Sequence, residues 1–277
     1  ESIGIPYVGS GILGSAIGQD KVVMKQLIKS EGLPIVDYVW FYDYEYVDDE
    51  EKIINSILKL SFPVIVKPAS LGSSVGIAVV HNVEELKQAI VDAIKYDEKI
   101  VVEKVVNNLI EVNASVLGNN EYAEVSALEE VMGVDEFLSY KDKYIGGGKG
   151  YKNKGITNTN RVIPARVSDK LTSEIKELSL KVFRILNLSG VVRIDYLVDN
   201  KNSKVYVNEP NIIPGSLSFY LWKESGKDYK TLLDDLITLA IKNYKKKRKK
   251  IYSFESNILE NANGLKGGKG FNGKLKM

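Results

Sequence analysis

The chain has 277 residues, of which 44% are hydrophobic and 27% charged, a composition typical of a globular protein with two packed subdomains. The formal net charge of +2 gives no bulk attraction to nucleic acid, and the lack of cysteine excludes disulfides and thiolate chemistry. Because the sequence shows neither a signal peptide nor an apolar run of about 20 residues that could span a bilayer, we expect a cytoplasmic protein without a membrane partner.

Helices and strands alternate in the first part of the chain. Apolar residues at helical spacing predict helices over 15–31, 48–60 and 82–95. Runs of β-branched residues predict strands over 36–40 and 99–106 and a strand pair over 63–80. We expect a small α/β lobe over 15–103. Residues 1–14 begin without methionine, and we interpret them as the remnant of a missing N-terminal domain.

Longer strands of an antiparallel type follow. They are predicted over 110–117, 122–128, 161–165, 191–198 and 204–208. Two amphipathic helices are predicted over 168–186 and 228–244. We expect a large lobe over 104–250 and a polar Gly-, Asn- and Lys-rich tail over 251–277. The fold class is therefore predicted to be α+β.

A candidate phosphate-binding loop follows the strand that ends at Lys67. The loop reads Gly72-Ser73-Ser74-Val75-Gly76, and a second β-branched strand comes next. Glycines let the backbone turn tightly, and the amides and hydroxyls of Ser73 and Ser74 can face an anion. The segment is not a Walker A loop, because no Gly-Lys-Ser/Thr follows and the next element is a strand. A plain hairpin turn would look the same, but with Lys67 we predict a flap over a triphosphate.

A hairpin with metal-ligand chemistry lies further along. Arg193 and Asp195 share one face of the first predicted arm, and Glu209 and Asn211 share one face of the second if that strand continues so far. Three hard oxygen donors beside a guanidinium suit a complex of Mg²⁺ with phosphate. The alternative is a surface turn with a few salt bridges.

Two polar segments remain. The span 141–160, which includes Gly146-Gly147-Gly148, is predicted to be a mobile active-site loop, with a disordered insertion as the alternative. The six consecutive cations at 245–250 are typical of a solvated helix end. Because no aromatic residues are interleaved with them, we do not expect a nucleic-acid partner.

These motifs occur together in a defined order: Gly4–Gly11, Asp20-Lys21, Lys67–Gly76, Val102-Glu103-Lys104, Lys143-Tyr144, Arg193-Ile194-Asp195 and Asn208–Gly215. The ordered set resembles the ATP-grasp superfamily and, within it, the D-alanine–D-alanine ligase family, over about 4–240. The resemblance implies an ATP-grasp fold in which ATP is held between the antiparallel sheets of two α/β lobes. It also implies a homodimer and small-molecule substrates.

The resemblance implies a nucleotide site and a metal site. The residues implied in ATP binding are Lys21, Lys67, Ser74, Glu103, Lys104, Val106 and Glu111. The two lysines would contact phosphates, and Glu111 would hold the ribose hydroxyls. Glu103, Lys104 and Val106 would form the hinge strand, in which backbone groups of Lys104 and Val106 read the adenine edge. The implied ligands of two Mg²⁺ ions, or of Mn²⁺ in their place, are Asp195, Glu209 and Asn211.

The resemblance also implies the catalytic groups. They are Arg193, Ser73, Tyr144, Lys143 and Gly215. Arg193 and the Gly215 amide would stabilise an oxyanion, Lys143 would reach the γ-phosphate, and Ser73 and Tyr144 would orient substrate.

The implied reaction joins two D-alanines through an acylphosphate for the synthesis of peptidoglycan precursors. We expect that this chain alone binds ATP but ligates poorly. A ligase for another amino-acid pair, with a D-Ala-D-Xaa or other dipeptide product, is one alternative. A nucleotide-binding module that does not ligate is another, and a nucleic-acid-binding protein that uses the basic tail is a third.

Overall fold

The structure is a computed structural model that describes residues 1–72, 75–131 and 161–251. Its helices are α1 (Ile12–Gln19), α2 (Lys21–Ser30), α3 (Asp43–Asp48), α4 (Glu50–Leu58), α5 (Val83–Ile94), α6 (Asp169–Ile185), α7 (Phe219–Glu224) and α8 (Tyr229–Arg248). Its strands are β1 (Tyr38–Tyr42), β2 (Val64–Pro68), β3 (Ala78–Val80), β4 (Lys99–Lys104), β5 (Leu109–Gly118), β6 (Ala123–Val131), β7 (Arg161–Val162), β8 (Gly190–Asp199) and β9 (Lys204–Asn211). A 3₁₀ turn, Gly215–Ser218, precedes α7.

The smaller sheet has four antiparallel strands in the order β1-β4-β2-β3. Helices α4 and α5 cover one of its faces, and the core between them includes Phe41, Val66, Ile90 and Val102. The strand pair expected over 63–80 is confirmed, because β2 pairs with β3. Helices α4 and α5 do not cover the opposite face of this sheet.

The larger sheet has five antiparallel strands in the described ranges, in the order β7-β6-β5-β8-β9. Alternate side chains of its central strands, such as Val112, Ile194 and Tyr196, are buried in one core with α6. The residues between them point to the opposite face, because successive side chains of a strand alternate. That opposite face is polar and carries Asn113 and Asp195. The α+β class expected from the sequence is confirmed.

One helix expected to be continuous is divided. The segment 15–31 forms α1 and α2, since the Asp20 carboxylate accepts hydrogen bonds from the amides of Val22 and Val23 and so begins a new helix. The helix expected over 48–60 is confirmed as α4. Asp49 caps it through the Lys52 amide, and Asp48 is the last residue of α3.

Helix α2 lies between the two sheets. Met24 and Ile28 pack in the core of the larger sheet. Val22 packs with Ala69 and Val101 of the smaller sheet. The helix can therefore carry polar side chains into the space between the sheets. The domain limits proposed from the sequence stay predictions.

The basic run begins inside α8. Lys245, Lys246, Lys247 and Arg248 form its last turn, where cations interact favourably with the C-terminal end of the helix dipole. Lys246 pairs with Glu121 at 2.7 Å. The helix-end interpretation of the run is thus confirmed for these four residues. Among the helices that the structure describes, none is both long enough and apolar enough to cross a membrane.

Candidate active site

Lys67 and Glu103 form a buried ion pair on the face of the smaller sheet that α4 and α5 leave open. In the β2–β4 register Lys67 lies opposite Val101, and Glu103 lies opposite Ile65. The two charged side chains are therefore diagonal neighbours on one face. Lys67 Nζ donates to Glu103 Oε2 at 2.8 Å. The Lys67 side chain is thus held at the strand end where the sequence predicts a phosphate contact.

A second lysine, Lys25 of α2, reaches the same carboxylate and was missed by the sequence reasoning. Its Nζ lies 3.0 Å from Glu103 Oε1. Lys25 and Glu103 are 0% and 1% exposed. A signal was present in the sequence: Lys25 falls on the stripe of α2 that also carries Val22 and Ile28, so a charge sits on the buried side of an amphipathic helix.

The three charges shift one another's pKa values. Burial favours neutral forms. For Glu103 the charges of Lys25 and Lys67 outweigh burial and lower the carboxyl pKa to about 2. For Lys67 burial is outweighed by Glu103, with help from Glu209 and Glu111, so its pKa is raised. For Lys25 the effect of burial outweighs the attraction of Glu103, so its pKa is lowered.

The predicted metal-type hairpin is formed by β8 and β9. Its register places Arg193 opposite Asn211 and Asp195 opposite Glu209, so all four side chains share one face. Arg193 donates to Asp195 Oδ1 from Nε at 2.7 Å and to Oδ2 from Nη2 at 2.8 Å. Asn211 Nδ2 also donates to Oδ2, at 3.0 Å. The sequence-predicted cluster is therefore present, with Asp195 at its centre.

The electrostatics of Asp195 suit a hard cation. Burial raises its pKa to about 6, Arg193 opposes that rise, and the negative charges of Glu209 and Glu111 add to it. In the described ranges no three His, Cys, Asp or Glu side chains are grouped to hold a metal. The donor set is thus two carboxylates and the Asn211 amide, all oxygen ligands of the type that Mg²⁺ prefers. These residues fit a magnesium ion.

Lys21 links the hairpin to the smaller sheet. Its backbone amide donates to Ala69 O at 3.0 Å, and its Nζ donates to Leu71 O, just before the candidate flap. The same Nζ lies 3.4 Å from Glu209 Oε2. Since Lys21 contacts both elements, the charged faces of the two sheets lie next to each other there, and we call the space between these faces the cleft. Glu111 of β5 lies in the same region, because its charge acts on both Lys67 and Asp195.

The remaining predicted residues have mixed outcomes. The Lys104 amide donates to Asp37 O at 3.0 Å, so that donor is already used within the protein. Val106 is half-buried just beyond β4, and Gly215 begins the 3₁₀ turn after β9. Four further predicted residues lie outside the described residues: Ser73, Ser74, Lys143 and Tyr144.

A second polar cluster adjoins Arg193 and was also missed. Asn113 Nδ2 donates to Glu129 Oε1 at 3.1 Å, and Arg161 Nη1 lies 3.7 Å from Glu129 Oε2. The Arg161 guanidinium stacks 4.0 Å from the ring centroid of Tyr220. Burial, followed by the charge of Glu129, raises the pKa of Tyr220. These residues come from strands and a helix far apart in sequence, so no local pattern groups them.

A cavity of about 740 Å³ lies elsewhere, between the N-terminal segment and α8. Tyr7, Asn187 and Asn243 are among its lining residues. None of the charged residues of the cleft lines it. The shape of the surface alone would therefore point to a different site. The grouped charges with shifted pKa values mark the candidate active site instead.

The family model described as "D-ala D-ala ligase C-terminus" matches residues 27–238. Among similar proteins, the D-alanine–D-alanine ligase of Thermoanaerobacter sp. strain X514 is 42% identical over 251 residues, covering 89% of this chain and 67% of the relative. The ligase of the same name from Thermosipho africanus is 36% identical over 260 residues, covering 94% and 68%.

This chain is also similar to solved structures of ligases. The D-alanine–D-alanine ligase from Coxiella burnetii matches with a TM-score of 0.72 at 27% identity, covering 95% of this chain and 66% of that one. VanG D-Ala:D-Ser ligase from Enterococcus faecalis matches with a TM-score of 0.72 at 30% identity, covering 86% and 66%. This chain spans about two thirds of the length of these proteins.

Proposed function

This chain belongs to the D-alanine–D-alanine ligase C-terminal family and has its ATP-grasp fold, and from that premise we propose that it provides the nucleotide and metal site of an ATP-dependent ligase. The ligase forms a peptide bond between two D-alanines for the synthesis of peptidoglycan precursors. The relatives named above carry this ligase name.

One observation carries the proposal. The 3.4 Å contact of Lys21 with Glu209 brings the cations of the smaller sheet to the carboxylates of the larger one. A magnesium–nucleotide complex needs both kinds of charge, because cations hold the phosphates and carboxylates hold the metal. A nucleotide-binding module without ligase activity would have no need of Arg193 and Asp195 in contact beside Glu209. We therefore favour an enzyme.

The chemistry requires no nucleophilic side chain. A carboxylate oxygen of the first D-alanine attacks the γ-phosphorus of ATP, and the bond to the β-phosphate oxygen breaks to release ADP. The amine of the second D-alanine then attacks the acyl carbon, phosphate leaves, and the amine loses a proton. Negative charge builds first on the phosphoryl group and then on the acyl oxygen, so fixed cations and amide donors lower both barriers.

Different residues of this chain would stabilise the negative charge of each step. Lys21 and Lys67 would bind phosphate oxygens, while Arg193 and the Gly215 amide would stabilise the acyl oxygen. Asp195, Glu209 and Asn211 would hold Mg²⁺, which when bound neutralises phosphate charge. Arg193 and Asn211 already donate hydrogen bonds to Asp195, so a bound metal ion would share that carboxylate with them.

The remaining predicted contacts to nucleotide and substrate are also part of the proposal. Glu111 would bind the ribose hydroxyls, and the backbone of Lys104 and Val106 the adenine edge. Ser74 would contact phosphate. Lys143 would reach the γ-phosphate, and two further groups would orient substrate: Ser73 and Tyr144.

A second candidate function differs in the acceptor amino acid. VanG is named a D-Ala:D-Ser ligase, and its structure matches with the same TM-score, 0.72, as the Coxiella ligase. A D-Ala-D-Xaa ligase is therefore the runner-up proposal. The homodimer implied by the family resemblance stays a prediction.

Phosphate release from ATP, measured with a panel of D- and L-amino acids, tests the function. In a longer protein that contains this chain, we expect stimulation by D-alanine and a D-Ala-D-Ala product detectable by mass spectrometry, with both signals lost in Asp195→Asn; for the chain alone we expect ATP binding with little ligation. Stimulation by a different acceptor would favour the runner-up. ATP binding without amino-acid-dependent phosphate release, also in a longer protein that contains this chain, would favour the non-catalytic module.

A further inference from the structure

Lys25 is a buried charge that the proposed roles do not use. It is 0% exposed, and its Nζ lies 3.0 Å from one oxygen of Glu103, while Lys67 Nζ donates to the other oxygen at 2.8 Å. One carboxylate therefore holds two lysines. Burial of three charges is costly in free energy, and such groups are often replaceable by apolar residues without loss of stability. Stability alone is thus a weak reason for Lys25.

We propose that Lys25 is a positioning residue for nucleotide binding, which neutralises Glu103 so that Lys67 keeps its positive charge available for phosphate. The inference rests on the proposed function, because it requires Lys67 to face a nucleotide. Lys67 keeps 7% of its surface exposed, whereas Lys25 keeps none. Only Lys67 can reach a ligand, so Lys25 acts through Glu103.

The charge balance of the cleft explains why a second lysine is needed. Lys25, Lys67 and Glu103 together carry two positive charges and one negative charge, a net +1. Without Lys25 the net charge is zero, and Glu103 competes with phosphate for Lys67. The negative charges of Glu209 and Glu111 also act on Lys67. An anionic ligand would then approach a cleft with an excess of negative charge.

A purely structural role is the competing explanation. Lys25 Nζ also lies 6.0 Å from the ring centroid of Tyr38, so the residue could simply anchor α2. Lys29, one turn further along α2, lies 5.8 Å from the same ring but is exposed. Lys29 therefore shares the helix and the aromatic contact of Lys25 but is exposed rather than buried against Glu103, which makes it the matched control position.

The test is the affinity of the full chain for ATP with Mg²⁺, measured by isothermal titration calorimetry, together with thermal unfolding. The variants are Lys25→Met, Lys67→Met and Lys29→Met. We expect Lys25→Met to raise the Kd about tenfold, because it weakens the charged hydrogen bond that Lys67 makes to phosphate, an interaction of roughly that size or more. Lys67→Met should raise the Kd by more, and Lys29→Met should leave it unchanged. Lys25→Gln, which removes the charge but keeps a hydrogen-bond donor, should match Lys25→Met and serves if the latter does not fold.

A double variant separates the effect of the Lys25 charge on ATP binding from a role of Lys25 in anchoring α2. In Lys25→Met with Glu103→Gln the net charge of the group returns to +1, so the Kd should return most of the way to that of the unmodified chain. Lower thermal stability of Lys25→Met and Lys25→Gln with an unchanged Kd would overturn the inference. An unchanged Kd in Lys67→Met would instead contradict the proposed function, so the two failures are distinguishable.

Discussion

Glu103→Gln is the substitution with the largest expected effect on stability. It keeps the shape of the side chain but removes the carboxylate charge that lies 3.0 and 2.8 Å from the ammonium groups of Lys25 and Lys67. Both lysines then stay buried without their contacting counter-charge. Loss of one partner from a buried ion pair costs about 3 to 5 kcal/mol, because the remaining charge is left uncompensated.

The same contacts lower the pKa of Glu103. It is lowered from an ordinary 4.5 to about 2. At about 1.4 kcal/mol for each pKa unit, this difference corresponds to about 3 kcal/mol of folding free energy. Because the folded-state pKa is depressed, this contribution is complete above about pH 4.5 and is lost as the pH falls toward 2. The unmodified chain should therefore lose stability across that acid window.

The assay is urea unfolding of Glu103→Gln and of Glu177→Gln, an exposed control on α6. At neutral pH we expect a loss of about 3 to 5 kcal/mol for Glu103→Gln and less than about 0.5 kcal/mol for the control. Without Glu103 the pKa of Lys25 falls further below that of an unfolded lysine, about 10.4. The unfolded chain then binds more protons, so the variant should regain stability as the pH rises toward about 10. Equal midpoints for the two variants, with no alkaline recovery, would refute the reasoning.

Three further outcomes follow from the site and its supports. The affinity for Mg²⁺, measured by metal titration, should fall as the pH drops through about 6, because protons then compete for Asp195; a flat profile would contradict this. Lys21→Met removes the 3.4 Å contact with Glu209 and should weaken ATP binding by roughly tenfold, whereas an unchanged Kd would exclude Lys21 from the nucleotide site. Gly14→Ala places a Cβ only 2.4 Å from Asn187 O, so it should destabilise the fold by about 1 to 3 kcal/mol in urea unfolding, and a neutral effect would show that α1 can shift.

The sequence was informative where chemistry follows local periodicity. Side chains alternate along a strand, so Arg193 and Asp195 could be predicted to share one face of the first strand. In the same way, Glu209 and Asn211 could be predicted to share one face of the second strand. The register that brings these two pairs together depends on the β-bulge after Asp195, and no sequence pattern marks that bulge. The prediction was nevertheless right about the cluster.

The sequence was less informative where a residue has two local roles or where contacts are long-range. Asp20 lies inside the helix expected over 15–31, but its carboxylate caps a new helix and so divides the expected one. Lys25 and Glu103 are far apart in sequence and meet only because α2 packs between the sheets. Tyr220 and Arg161 also belong to distant elements. Tertiary packing, rather than local propensity, decides such contacts.

In the proposed function, the two sheets hold a magnesium–nucleotide complex in the cleft between them. The most direct test is calorimetric titration of ATP with Mg²⁺ into the unmodified chain, Lys67→Met from the smaller sheet and Asp195→Asn from the larger. We expect both variants to raise the Kd by roughly tenfold or more, since each removes a charged contact. An affinity in either variant equal to that of the unmodified chain would show that its sheet does not contribute, and would contradict the account.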